Sequence, residues 1–474
     1  MTVFGSNQAA EFTNFEVHMN TRSLLLTLTV SLANASGAKA QTDVPNPPVS
    51  GDGIMTMTLT GDAIITRALS PYVEPGYLEM IEGIRSADMA FTNLEVLLHD
   101  YEPHPAYQSG GTWMRADPAM ADELVWAGFD MVSFANNHTG DYGPLGARLT
   151  RQHARAAGLV GSGSGEDLNE AREAKFLETA DGRVALISLA STFTAHSVAG
   201  VPGAAMVGRP GLNPLRHERW RVVTRDQLEG LREGLAGAGF GVPESGDAIT
   251  VSGNRVEVGN DVGLHTSPDP DDVSAIAAVV RNAKMLADYV VVSIHAHEGG
   301  TNRTIPADFI IEFAHAVIDA GADVMVGHGP HVLRGVEIYN GRPILYSLGD
   351  FIFQNETLLR LPAENFARYG LDPTAGVSAF NFERYAGDTR SFPADPEIWE
   401  GAIAMPSFRD GELVELRLLP VTLGFGEPPS VRGRPLPATG ALGQKIVRDL
   451  IERSAHFGTA VEERDGAAIV QLPR

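Results

Sequence analysis

Three observations predict an α/β fold for this chain. Short apolar runs alternate with segments whose apolar residues recur at helical spacing. The runs are cut off by glycine and polar residues, as buried strands are. Five of them end in residues drawn from one small set, Asp, Asn, Glu and His. Alternating strands and helices make a parallel sheet with right-handed crossovers the default. Ligands bind beyond the carboxyl ends of such strands.

Composition sets the outer limits. The chain has 474 residues, 43% hydrophobic and 20% charged, which suits one large or two ordinary globular domains. A formal net charge of -23 argues against non-specific nucleic-acid binding. There is no cysteine, so disulfides, thiolate metal sites and a cysteine-linked lipid anchor are excluded. No apolar run reaches the roughly 18 residues of a membrane-spanning helix. Residues 1–40 read as a leader. Met19-Asn20-Thr21-Arg22 supplies a basic start, residues 24–33 an apolar stretch, and Ala38-Lys39-Ala40 a cleavage motif. Met19 is the expected start, with cleavage after Ala40 and export to a periplasmic or extracellular location.

The elements follow in order. Residues 41–53, rich in Pro and Gly, are expected to be a linker. Residues 54–60 alternate as a strand that stops at Gly61-Asp62. Residues 80–88 have a helical pattern. Residues 89–92 form a second strand, and Asn93 and Glu95 beyond it share one face of an extended chain. A helix over 118–128 with Asp117 as N-cap precedes a strand over 129–134. That strand delivers Asn137, His138 and Asp141. Residues 148–157 read as a helix. The run Gly161-Ser162-Gly163-Ser164-Gly165 is expected as a turn or flexible loop, because no Gly-Lys-Ser/Thr follows to complete a phosphate loop. Residues 184–190 are the next strand.

Residues 191–268 have weak periodicity and are expected as an insertion over the site, with a helix over 225–236. Their Arg209 and Arg216 are candidate anion contacts or plain surface arginines. Asp269 suits an N-cap, Pro270 a first helical position, and Asp271 and Asp272 the positive end of a helix dipole, for a helix reaching about residue 288. The strand 289–294 ends in His295, His297 and Glu298, with the two histidines on one side. After a helix over 306–320, Val324-Met325-Val326 ends in Gly327-His328-Gly329-Pro330-His331. The Gly-Pro turn is expected to aim both imidazoles at one point. Residues 343–348 run into Gly349-Asp350. Residues 354–400 are irregular, a lid or insertion. A strand over 413–423, a helix over 440–454 and a short strand over 468–470 complete the chain.

The five strand ends thus offer Asp62; Asn93 and Glu95; Asn137, His138 and Asp141; His295, His297 and Glu298; His328 and His331. Carboxylate, amide and imidazole donors suit Mn, Fe, Zn or Mg. This many donors fit two ions about 3.5–4 Å apart, which would hold a bridging hydroxide as nucleophile. The expected metal ligands are Asp62, Glu95, Asn137, His295, His297, His328 and His331. His138, held by Asp141, is the expected proton donor to the leaving group. Asn93, Glu298, Arg209, Arg216 and Arg334 are the expected substrate contacts.

The order Gly-Asp, Asn-Leu-Glu, Asn-Asn-His, His-x-His, Gly-His-x-Pro-His-Val and Ser-Leu-Gly-Asp-Phe resembles the capsule-synthesis protein CapA family, also called poly-gamma-glutamate synthesis proteins. The resemblance covers about residues 54–356, and residues 357–474 are read as a C-terminal extension. The family is similar in turn to calcineurin-like metallophosphoesterases. That implies a two-sheet β-sandwich flanked by helices, a four-layer αββα arrangement. By motif, Asp62 matches the first-strand aspartate, and Glu95 or Asn93 stands where phosphatases keep a bridging aspartate. Asn137 and His138 match the Asn-His pair, His295 or His297 the lone histidine, and His328 and His331 the final pair. The sequence departs from the phosphatase pattern at Ile64, where a histidine is usual, and in the wider spacing of the final pair. Within the CapA pattern, Asp350 replaces the usual asparagine.

The resemblance implies an anionic polymer or phosphorylated envelope substrate, and a capsule or polymer synthase complex as partner. Two functions follow: an exported metal-dependent hydrolase of a phosphoester or amide, or a non-catalytic accessory that holds polymer in the same pocket.

Overall fold

The computed structural model describes residues 53–472. The expected leader, its start and cleavage points, and the 41–53 linker apart from Gly53 lie outside the described residues.

Two large sheets face each other across one core. In the first, Ile54–Ile64, Met89–Leu94, Met131–Ser133 and Val160–Ser162 run parallel in that order, and Asp350–Phe353 also pairs parallel to Ile54–Ile64. Its other side is antiparallel: Glu400–Arg409 pairs with Ile54–Ile64 and then with Glu412–Thr422. In the second, Gly182–Ala190, Tyr289–His295, Val324–His328 and Arg342–Leu345 run parallel. The parallel strands are therefore divided between two sheets, not gathered in one. Their carboxyl ends meet from both sides of the core.

The central parallel strands, Met89–Leu94, Tyr289–His295 and Val324–His328, are buried on both faces, which explains their unbroken apolar runs. Met55, Met57, Leu59, Met89 and Phe91 meet Val184, Leu186, Val291, Val324 and Val326 between the sheets. On the outer face of the first sheet, Ala63, Ala90 and Val132 pack under helices Pro75–Arg85 and Met120–Ala127. On that of the second, Ile187, Val290, Val292 and Met325 pack under Pro270–Lys284 and Asp308–Asp319. The Asp269 cap forms as read, its carboxylate accepting from the amides of Asp271 and Asp272.

Several boundaries differ from the sequence reading. The first strand does not stop at Gly61-Asp62 but continues to Ile64, because Asp350–Phe353 supplies a partner for its last residues. The Gly-Ser run is extended, with strands Val160–Ser162 and Ser164–Gly165, not a loop. The helix expected from 118 begins at Met120; Asp117 accepts from the Ala119 amide in the preceding turn and is not the N-cap. Residues 217–268 build a separate four-stranded sheet, beside which helix Arg225–Gly237 opens on a Thr224–Gln227 capping box. Residues 354–399 hold two short helices, Ala363–Arg368 and Val377–Tyr385. The turn after the second carries Ala386, Asp388 and Ser391 at φ 48°, 65° and 59°.

Candidate metal centre

Asp62 reaches the site through a bulge. The pairing of the first strand slips on either side of it, and its amide donates to the Gly349 carbonyl at 3.2 Å. Only glycine fits at position 61, since a Cβ there would stand 1.7 Å from the Gly349 oxygen. From the facing sheet, Tyr289–His295 and Val324–His328 end side by side with His295 paired to His328. Gly329, at φ 114°, then turns the chain so that its amide donates to Asp62 Oδ2 at 2.8 Å.

These ends converge. Asp62 Oδ1 lies 3.4 Å from His295 Nδ1 and 3.3 Å from His328 Nδ1, and the two Nδ1 atoms are 3.1 Å apart. The other nitrogen of His295, Nε2, lies 2.9 Å from His297 Nε2 and 4.0 Å from Glu95 Oε1. A third grouping joins Asp62 and Glu95 to His331 and Asp350, with His331 Nδ1 2.9 Å from Asp350 Oδ1. The Gly-Pro turn thus does not aim both its histidines at one point. His328 and His331 enter different groupings that share Asp62.

The electrostatics fit a cation. Asp62, Glu95, Asp141 and Asp350 are buried, and their ion-pair partners among the described residues are all histidines. Burial alone would raise the Asp62 carboxyl, but hydrogen bonds from His295 and His328 outweigh it and hold it well below its ordinary value. Burial, reinforced by the Asp62 and Asp350 carboxylates, pushes Glu95 well above its own. Burial also pushes Asp350 up to about 6 against the pull of His331, and takes His295 down to about 4. Both Glu95 oxygens, Asp350 Oδ2 and Asn137 Oδ1 are buried without a hydrogen-bond partner. Unpaired buried oxygens are costly unless a cation satisfies them. The donor set suits a divalent ion of the Mn, Fe or Zn kind. Asp62, Glu95, His295, His297, His328, His331 and Asp350 are the residues that could hold it.

Around these donors sit the supports. His138 Nδ1 is held by Asp141 Oδ2 at 2.7 Å, while its Nε2 faces Glu95 Oε1 at 3.7 Å. Asp141 also accepts from the amides of Gly110 and Met114. Asn137 donates to the Gly110 carbonyl, and Asn93 donates to Asp62 Oδ1 at 2.7 Å. Glu298 is outside the groupings, accepting from the Ser191 and Thr192 hydroxyls. Of the expected anion contacts, Arg216 pairs with Asp272, Arg209 donates through Nε to the Val198 carbonyl, and buried Arg334 donates to the carbonyls of His297, Glu298 and Arg303 while its Nη1 has no hydrogen-bond partner.

Three participants escaped the sequence reading as site residues. Asp350 enters the sequence reading only as a departure from the CapA pattern; its place after a glycine-ended run is the signal. Asn136 accepts from the His138 amide and donates to Asn93 and the Leu94 carbonyl. Ser293 Oγ sits 2.8 Å from His328 Nε2 and fixes that ring. Two residues before His295 on the same strand, it shares that histidine's face.

A hollow of 570 Å³ lies beside this cluster, lined by Arg303, Pro330, His331, Phe392, Asp395 and Ile398 among others.

Comparison with known proteins agrees on one family. The profile described as "Bacterial capsule synthesis protein PGA_cap" matches residues 56–355. The chain is 37% identical over 435 residues to "Uncharacterized protein y4uA" of Sinorhizobium fredii (strain NBRC 101917 / NGR234), covering 88% of this chain and 93% of that one. It is 25% identical over 306 residues to "Capsule biosynthesis protein CapA" of Bacillus anthracis, covering 63% and 60%. It is 26% identical over 330 residues to "PGA biosynthesis protein CapA" of Bacillus subtilis (strain 168), covering 66% and 67%.

Proposed function

Because the chain belongs to the bacterial capsule synthesis protein family PGA_cap, we propose that it is a metal-dependent hydrolase of capsule or poly-γ-glutamate metabolism, acting on a phosphoester or amide bond. The facing sheets with helices outside are read as the calcineurin-like metallophosphoesterase arrangement. The observation that carries the proposal is Glu95, a buried carboxylate with both oxygens unpartnered, set among Asp62, His295, His297 and Asp350.

Divalent ions supply Lewis acidity at such a site, polarising a phosphoryl or acyl oxygen and acidifying water. The chain's own residues do the rest. Asp62, Glu95, His295, His297, His328, His331 and Asp350 would hold the ions, in three overlapping groupings. Asp141 fixes His138 through Nδ1, so that Nε2 faces the cluster and can hold a proton for a leaving atom. Export, carried by the sequence of residues 19–40 alone, completes the proposal.

Asn93 favours a second reading. By motif either Asn93 or Glu95 stands where phosphatases keep a bridging carboxylate, and the Asn93 amide is already engaged by Asp62 and Asn136. A site short of one anionic donor would suit an accessory that holds polymer without cleaving it. Elemental analysis and turnover of bis(4-nitrophenyl) phosphate and a γ-glutamyl anilide separate the readings. Bound transition metal with turnover supports the hydrolase; metal without turnover of either substrate favours the accessory. No metal under replete conditions sinks the hydrolase and leaves polymer binding as the reading in front.

A further inference from the structure

Of the anion contacts expected from sequence, Arg216 is paired with Asp272, while Arg209 and Arg334 donate to backbone carbonyls; Arg303, in the wall of the hollow, is held by Asp395 and Glu397. Arg384 is different. It is half-buried and, among the described residues, has no carboxylate partner, although the chain's net charge is -23. Its guanidinium donates to the Thr112 hydroxyl and lies over the rings of Tyr385 at 5.1 Å and Phe392 at 5.8 Å.

Those contacts tie it to residues on two sides of the cluster. Thr112 follows Gly111, where a side chain would meet the His138 ring at 3.9 Å. Phe392 packs on His331 with ring centres 5.5 Å apart and lines the hollow. Arg384 therefore spans from the His138 side of the cluster to the His331 side. The turn between Arg384 and Phe392 carries Ala386, Asp388 and Ser391 in the left-handed region, a costly conformation kept only where surrounding structure dictates it.

We propose that Arg384 is the substrate-anion anchor of this site, binding a carboxylate or phosphate group of the ligand between Thr112 and Phe392. The assignment rests on the reading of the cluster below it as the site of action. Arginine suits the role: its planar fork meets an anion with two hydrogen bonds, and the aromatic face behind it keeps the charge in place.

The test is equilibrium titration of the full chain with two anions, a trimer of γ-linked glutamate and inorganic phosphate, and with the trimer's uncharged methyl ester. Arg384→Ala is expected to weaken binding of one anion by roughly ten- to a hundredfold, and the anion affected identifies the ligand class. Arg384→Lys, which keeps the charge without the fork and guards against misfolding of the alanine variant, should fall between. Arg368→Ala, an exposed arginine on helix Ala363–Arg368 with the same charge change, should bind as wild type. Equal losses at Arg384 and Arg368, no loss at Arg384, or no binding of either anion by the wild type overturns the proposal. Metal analysis of the same samples separates the two readings. Arg384-dependent binding by a chain that takes up no metal keeps the anchor and removes the hydrolase. Metal uptake with Arg384-independent binding does the reverse.

Discussion

Nε2 of His295 lies 2.9 Å from Nε2 of His297, while the opposite nitrogen of the His295 ring faces Asp62 and His328. A neutral imidazole has one lone pair and one N–H. His295 can therefore bind an ion on one side only and must donate, or lie idle, on the other. It is the one histidine shared by the Asp62 and Glu95 groupings that contain histidine pairs.

His295→Ala is expected to reduce bound metal more than His297→Ala or His328→Ala, because it removes an ion ligand on one side and, on the other, the N–H that orients a ligand of the second grouping. Elemental analysis after metal loading reads this directly. Equal losses in all three variants would mean that His295 has no special place.

Glu95→Gln should behave differently with and without metal. In chelator, the burial-raised carboxyl is replaced by a neutral group of the same shape, and unfolding free energy should change by less than ~1 kcal/mol. With metal present, the wild type should gain about 2.7 kcal/mol at a hundredfold excess of metal over Kd, and the variant should lose most of that gain. Denaturant unfolding with and without chelator checks it.

His99 predicts an acid-sensitive stability. Burial, then Arg115, pushes its ring down to about 4, and its Nδ1 accepts from the Tyr101 amide. The folded chain keeps the ring neutral while the unfolded chain protonates it near 6.5. The contribution is intact above pH 6.5 and is lost as pH falls toward 4, on the order of 2 kcal/mol in all. Stability of His99→Gln measured across that window should fall less steeply than wild type; parallel curves would contradict the assignment.

Gly61→Ala should be among the most damaging single substitutions. Its Cβ would stand 1.7 Å from a backbone oxygen, which cannot move aside as a side-chain tip can. A loss above ~4 kcal/mol is expected, seen as failure to reach a cooperative fold. Gly76→Ala, with nothing within 4 Å of the added methyl inside helix Pro75–Arg85, should be neutral or stabilising by up to ~1 kcal/mol.

Much of this was legible in the sequence, for a physical reason. Strands buried on both faces must be apolar throughout, so Tyr289–His295 and Val324–His328 stand out, and the polar residues at their ends stand out against them. What an apolar run cannot reveal is which neighbour it pairs with, so the division into two sheets was not readable from the runs themselves. Strand Glu400–Arg409 was missed because it contains Pro406 and little alternation, which argue against a strand that the facing Glu412–Thr422 nevertheless holds in place. Arg384 was hidden in a segment without periodicity, and its partner Thr112 lies 272 residues away. Glu95, His295 and His328 were visible because each sits at the end of its own strand, and Asp62 because it follows a glycine that closes an alternating run.

The donors of this site run from Asp62 to Asp350 along a chain of 474 residues. No early fragment can assemble it: about three quarters of the polypeptide must be made, and the two sheets must close, before the last carboxylate meets the first. Ion capture is thus coupled to the end of folding, not to synthesis. Affinity alone ranks divalent ions in much the same order at most sites of this kind, so the supply around the chain decides what enters. An ion held at this site would therefore be selected by the compartment in which folding finishes.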